Sequence, residues 1–316
     1  MHVWAALRSV VRKEVFPMNE LERLEAMLRA RPASLSIDQR RAAADALGDL
    51  FPLAVDVRVE HVAALGVPAE WTSTPGADTD GVILYLHGGG YVWGSLKSHR
   101  HLVSEVGRAA MMKTLALDYK RAPEFPFPHA LDDAISGYRF LLETGFKPRQ
   151  IAVAGDSAGA GLAVALLVQL KEMGLQQPAG ALLLSPWADM TATADSYSRN
   201  AKRDPVLNRE ILQFLAEQCL GNRPRETPLA SPVFADLSGI APLTIFVGAT
   251  EALLDDAIAL TRAAGLADVS VRLEIWPKMF HVWSNYHQVL AQGRQAVARA
   301  GRLLREAVEE ASSGQG

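Results

Sequence analysis

Cysteine is almost absent: Cys219 stands alone in 316 residues. An internal disulfide is therefore excluded, and so is a cysteine-rich metal site. Long apolar runs are missing too. The chain is 49% hydrophobic, yet no stretch approaches the ~20 residues of a membrane span. Neither sign of charge is in excess, since 32 Lys and Arg face 35 Asp and Glu for a formal −3. That balance gives no basis for binding nucleic acid or an anionic membrane. The short basic groups, Arg8 with Arg12 and Lys13, and Lys147 with Arg149, are expected to be solvated faces. There is no internal repeat and no low-complexity segment. The opening "MHVWAALRSVVRKEVFP" lacks a charged leader followed by a clean apolar segment, because Arg8 interrupts it. No signal peptide is expected, and the expected location is cytoplasmic.

What is present is a rhythm. "VILYLH" (82–87), "TLALDY" (114–119), "IAVAG" (151–155), "ALLLSP" (181–186) and "LTIFVG" (243–248) are short and continuously apolar. Such runs suit strands buried on both faces of a parallel sheet. "VSVRLEIW" (269–276) alternates, with Val269, Val271, Leu273 and Ile275 on one face, which suits a strand nearer the edge. Helical stretches near 128–144, 157–173 and 252–264 are followed by Gly145, Gly174 and Gly265, each predicted to take the left-handed conformation past a helix end. Strand, helix, glycine, strand predicts an α/β fold with a mostly parallel, doubly wound sheet.

Two regions break the rhythm. Residues 1–50 are helical in pattern, and Asn19 with Glu22 and Ser36 with Gln39 have capping-box spacing. Residues 188–225 are polar, then helical. There Asp204-Pro205 offers an N-cap and a first-turn proline, and Leu207, Ile211 and Leu215 share a face with Gln218 or Cys219. Both regions are predicted to form a helical cap over a core of 51–187 and 226–316. The tail "EEASSGQG" is expected to fray.

"AGDSAG" (154–159) lies between an apolar strand and a helix. In a sharp strand-to-helix turn, a side chain two residues from the apex would strike the neighbouring strand or helix. Glycines at 155 and 159 with Ser157 at the apex meet that requirement. A plain small-residue turn is the competing explanation for such a motif alone. A dinucleotide loop is not, because Gly155, Gly159 and Gly161 have the wrong spacing. "HGGGYVWG" (87–94) follows a strand, and its glycines allow backbone N–H groups to approach a ligand. A phosphate loop would need a lysine before Ser95 in place of Gly94. The N–H groups of Gly88, Gly89 and Ala158 are the predicted donors to the oxyanion of a tetrahedral intermediate. His87 is expected to hold this loop by hydrogen bonds.

Where a serine elbow sits on such a sheet, the carboxylate and then the histidine follow it in the chain. Only His281 and His287 lie beyond Ser157. His281, in the loop "KMFHVW" after the last strand, is the predicted base, because loops at strand C-termini place catalytic groups. Of the acids after "LTIFVG", Glu251 is preferred and Asp255 is the runner-up. Tyr91, Trp93 and Trp187 lie beside the motifs and are candidate substrate contacts.

Together with "YKRAPEFPFPHALDD" (119–133), "SPWADMT" (185–191) and "EALLDD" (251–256), these motifs resemble the hormone-sensitive-lipase-like, bacterial group IV esterases of the α/β-hydrolase fold. The resemblance runs from about residue 60 to 310. Two departures stand out. The usual Tyr-Arg-Leu-Ala-Pro-Glu reads Tyr119-Lys120-Arg121-Ala122-Pro123-Glu124, and the usual Asp-Pro-Leu-x-Asp has Glu251 where the first aspartate stands.

The resemblance implies a serine carboxylesterase acting on small-molecule esters of short to medium acyl chain through an acyl-enzyme, without metal or cofactor, and often dimeric through the sheet edge. "EALLDD" is also similar to a sub-branch that includes monoterpene lactone hydrolases, so a lactone hydrolase or amidase using the same residues is the alternative. A non-catalytic ligand-binding protein on this fold, like the plant gibberellin receptors, lacks the histidine that stands here as His281. Epoxide and haloalkane hydrolases carry aspartate at the elbow in place of Ser157.

Overall fold

The structure, a computed structural model, describes residues 19–32 and 35–314. The expectations for the opening stretch, for Arg8, Arg12 and Lys13, and for the last two residues lie outside that range.

Eight strands form one sheet: β1 (Arg58–Ala64), β2 (Val67–Ser73), β3 (Asp78–Leu86), β4 (Met112–Leu117), β5 (Ile151–Asp156), β6 (Gly180–Leu184), β7 (Leu243–Gly248) and β8 (Val271–Trp276). Their order is β1-β2-β4-β3-β5-β6-β7-β8, antiparallel at β1, β2 and β4 and parallel elsewhere. The apolar runs make the central strands, and every residue of β5 and β6 is buried. Side chains alternate across the sheet. Leu84, Leu86, Ile151 and Val153 therefore enter the core on one face, while Ile83, Tyr85, Ala152 and Ala154 enter the core on the other. Each such aliphatic side chain contributes about 1.5–3 kcal/mol through burial.

Nine helices accompany the sheet among the described residues: α1 (Glu20–Arg29), α2 (Ile37–Leu50), α3 (Leu96–Ala110), α4 (His129–Glu143), α5 (Ala158–Glu172), α6 (Ser196–Arg199), α7 (Arg209–Leu220), α8 (Leu254–Leu266) and α9 (Ala291–Ser313). The α5 helix is apolar on nearly every side and buried for most of its length, as a helix against the middle of a sheet should be. Asn19 and Ser36 close the capping boxes that begin α1 and α2.

Four local expectations are corrected. Gly145 and Gly174 take φ of +101° and +67°, but α8 runs through Gly265, and Asp268 takes the left-handed turn at φ +56°. Helix α7 begins later than predicted: Asn208 accepts from the Ile211 N–H as its N-cap, while Asp204 closes a separate turn onto Val206 and Leu207. The tail is helical to Ser313. On the edge strand β8, Val271 and Leu273 pack into the core, whereas Ile275 is 45% exposed.

The helices outside the sheet pattern gather over the C-terminal ends of β3, β5, β7 and β8. The Arg41 guanidinium of α2 donates to the carbonyls of Val92 (2.9 Å) and Ala122 (2.9 Å) and pairs with Glu124. That ties the helix to the loop after β3. Beneath it lies a cavity of about 1010 Å³ whose wall includes Leu28, Leu47, Leu207, Ile211, Leu215 and Ser157. No helix among the described residues is long and apolar enough to cross a membrane.

Candidate active site

Between β5 and α5 the chain reverses within one residue. Ser157 takes φ 54° and ψ −120°, outside the comfortable regions for a residue with a Cβ. The glycines on either side make this possible. A Cβ on Gly155 would run into the carbonyls of Gly159 and Leu86, and one on Gly159 into those of Leu86 and His87. The Ser157 N–H is fixed to the Leu184 carbonyl at 2.8 Å.

His281, in the loop after β8, lies with Nε2 2.9 Å from the Ser157 Oγ. Its Nδ1 is 2.9 Å from Glu251 Oε2. A carboxylate only accepts, so Nδ1 carries the proton and Nε2 is left to accept from the serine. The other carboxylate oxygen, Oε1, accepts from the Ser185 hydroxyl and the Gly248 N–H, both at 2.6 Å. Ser185 also accepts from the Val282 N–H at 3.2 Å, so one hydroxyl links the acid to the histidine's loop. Burial works against the His281 imidazolium. The hydrogen bond and charge of Glu251, followed by the charge of Asp204, outweigh it and hold the imidazole above its ordinary value.

The runner-up acid is elsewhere. Asp255 accepts from the Ser196 N–H (2.8 Å) and pairs with Arg199 (3.1 Å); both partners belong to α6.

The loop after β3 is braced from the "YKRAPE" segment. Tyr119 donates to the His87 carbonyl at 2.6 Å, Arg121 to the Gly94 carbonyl, and the Ala122 N–H to the Tyr91 carbonyl at 2.8 Å. His87 Nδ1 donates to the Gly88 carbonyl at 2.7 Å and its ring stacks on Tyr119. Burial, with the neighbouring His99, pushes it down to about 3. It is a neutral strut, as expected.

The expected donor set changes at one position. The Gly88 N–H is already bonded to Asp156 Oδ1 at 3.0 Å. Among the described residues, the N–H groups of Gly89, Gly90 and Ala158 make no hydrogen bond. Gly89 and Gly90, at φ +120° and +62°, line the cavity beside Ser157. Asp156 also accepts from Tyr85 (3.0 Å) and contacts His99 Nε2 (3.3 Å). Burial opposes its charge, but His99 and Tyr85 hold the carboxyl below its usual range.

Trp93 and Trp187 line the cavity, with the Arg40 guanidinium 5.3 Å over the Trp93 ring. Tyr91 does not: it packs behind Trp187, with ring centroids 6.1 Å apart, and faces a separate small space under Phe127 and Leu131. Its backbone stands in the left-handed region, at φ +62°. No group of three or more possible metal ligands occurs among the described residues. Sequence reasoning missed Gly90, Asp156, Ser185, Asn200 and Asp204, although the first three stand inside motifs it had quoted.

Residues 83–285 match the family described as alpha/beta hydrolase fold. An acetyl-hydrolase of Streptomyces hygroscopicus is 46% identical over 276 residues, covering 83% of this chain and 92% of that protein. A crystal structure of an esterase from the bacterial hormone-sensitive lipase family superposes with a TM-score of 0.90 at 45% identity, covering 93% of this chain and 100% of that one. The crystal structure of EstE5 soaked with p-nitrophenyl butyrate gives 0.89 at 43% identity, with the same coverage of both chains. Sheet order, elbow and overall likeness agree: the chain belongs to the α/β-hydrolase fold family, in its bacterial hormone-sensitive-lipase branch.

Proposed function

We propose that the protein is a serine carboxylesterase in which Ser157 is the nucleophile, His281 the general base and acid, and Glu251 the residue that orients it. The observation that carries this reading is the unbroken line Glu251 Oε2, His281, Ser157 Oγ, with 2.9 Å at each step. It ends at the cavity wall beside the unpaired N–H groups.

The cycle follows from that line. Nε2 takes the serine proton as Oγ bonds to the ester carbonyl carbon. The carbonyl oxygen becomes an oxyanion held by Gly89, Gly90 and Ala158, where each donor is worth about 10²–10³ in turnover. The imidazolium protonates the leaving alkoxide and the carbon–oxygen bond to the alcohol breaks. Water then gives its proton to Nε2 and attacks the acyl carbon, and the proton returns to Ser157 as the acid leaves.

Of the described residues, those up to 50 and 188–225 serve as the cap, and 51–187 with 226–314 as the core. In this reading the cavity under the cap receives the acyl chain and the alcohol. Its volume and apolar wall of Leu28, Leu47, Leu207 and Leu215 suit short to medium chains. The same proposal has a cytoplasmic protein that pairs through the exposed edge of β8; cell fractionation and light scattering check these two points.

The central test is hydrolysis of p-nitrophenyl esters from acetate to palmitate, with lactones of similar size in parallel. Turnover of the shorter esters, abolished in Ser157→Ala, is the expected outcome. A folded wild type that opens lactones or amides but no ester would replace the esterase reading with that activity.

A further inference from the structure

The turn that carries Glu251 is gripped from the cap. Asn200 Nδ2 donates to the Glu251 carbonyl at 2.7 Å and to the Ala249 carbonyl at 3.4 Å. Asp204 Oδ2 accepts from the Ala252 N–H at 2.9 Å. The Ser196 hydroxyl donates to the Ala252 carbonyl at 2.6 Å and accepts from the Asp255 N–H at 3.2 Å. All three side chains are nearly or wholly buried. The Asn200 amide is held in this orientation by Arg203, which donates to its Oδ1 at 2.9 Å. These bonds engage the backbone on both sides of the acid.

The other end of Asp204 faces the cavity. Its Oδ1 accepts from the N–H groups of Val206 (2.9 Å) and Leu207 (3.2 Å), where the chain turns toward α7. Asp204, Val206 and Leu207 all line the cavity. One carboxylate thus joins the wall that a substrate would touch to the turn that carries the acid.

We infer that Asn200 and Asp204 are positioning residues for Glu251, and that the buried carboxylate of Asp204 acts as a second negative charge on His281. The inference rests on the reading of Ser157, His281 and Glu251 given above. It makes the cap part of the acid–base apparatus as well as a cover for substrate.

The charges around His281 support it. Glu251 meets the ring from the loop after β7; Asp204, from the cap, and Asp156, at the end of β5, line the same cavity as His281, with His99 bonded to Asp156. Arg29, Arg31 and Arg40 stand on the cavity wall. Burial, with the charge of Glu251 adding to it and that of His281 opposing, pushes Asp204 up to about 6. The ionised carboxylate of Asp204 raises His281.

Two variants separate the roles. Asn200→Ala loosens the grip without changing charge. Turnover is expected to fall about 10- to 100-fold, with KM within about twofold and the acid limb of kcat/KM unmoved, because misplacement of a catalytic group has that scale. Asp204→Asn removes the charge and keeps one acceptor oxygen. The imidazolium is then less favoured, so the acid limb is expected to move to lower pH by about one unit.

Turnover is scaled to the folded fraction from thermal unfolding. If Asn200→Ala does not fold, Ser196→Ala, which removes one bond to the same turn, takes its place. A purely structural role would lower the melting temperature and leave both the limb and the scaled turnover at wild-type values, and that result overturns the inference. Glu251→Gln runs alongside. If it keeps wild-type turnover, the acid itself is misassigned, and the inference falls with the reading beneath it.

Discussion

The turn at Ser157 is shaped by main-chain packing, its own and that of Leu86, His87 and Leu184, whereas the turn at Glu251 is held by side chains 48 to 66 residues away in the chain. At the elbow, backbone crowding leaves only glycine at 155 and 159, and the serine's dihedral angles follow from the strand and helix on either side. At the acid, the carboxylate has one local partner among the described residues, the Gly248 N–H. Ser185 follows β6 directly, and Ser196, Asn200 and Asp204 come from α6 and the segment after it. A nucleophile can be placed by local sterics because its orbital direction is set by one turn. An acid that must meet a ring on another loop needs partners from several elements.

Substitutions at the two turns can break that comparison. The largest effect is expected from Ser157→Ala, a loss of at least about 10⁴-fold in kcat/KM with the fold intact, since no other group can form the acyl bond. Glu251→Gln follows at about 10³- to 10⁴-fold. It also shifts the pH profile in a definite direction. The base works neutral, and Glu251 favours its charged form. Removing that charge lowers the His281 value, so the acid limb of the residual activity moves to lower pH in a stopped-time assay across pH.

The glycines sharpen the contrast. Gly159→Ala drives a methyl into two main-chain carbonyls and is expected to destabilise by about 1–3 kcal/mol in urea unfolding. Gly248→Ala meets the Met279 carbonyl and, at 3.0 Å, Glu251 Oε1. Its activity is expected to fall more than its stability, because it displaces the acid. If both variants lose only stability, the two turns differ less than their contacts suggest.

The smallest effect belongs to Asp255→Asn, which loses a half-exposed pair with Arg199. A change within about fivefold in turnover is expected. A loss as large as that of Glu251→Gln would return the acid to Asp255.

The same contrast explains what the sequence disclosed. The elbow, the glycine loop and the central strands were legible because each is dictated within a few residues: a steric rule, or an apolar run buried on both faces. His281 was legible by order along the chain. Glu251 was preferred over Asp255 because it stands soon after the end of β7, a turn before Asp255, but its partners were not legible, since Asn200, Asp204 and Ser185 carry no motif that declares their reach. The error at Gly88 has a similar origin. Three glycines announce available N–H groups, but which one is consumed depends on where the Asp156 side chain turns. The hairpin of β1 and β2 escaped notice because its two-residue turn is Leu65-Gly66, with leucine at φ 49°, where Asn-Gly would have been the recognisable signal. The missed stop at Gly265 shows that a glycine near a helix end does not terminate it when the next residues pack as helix.

Asp156 has a mechanical consequence. It immediately precedes Ser157 and holds the Gly88 N–H through its own carboxylate. The atom proposed to attack and the loop proposed to receive the new charge are thus referenced to one peptide segment. If β5 shifts against its neighbours in thermal motion, both move together and their separation is preserved. The tolerance of the reaction geometry is then set by one short side chain, and not by the accumulated slack of the strands between β3 and β5.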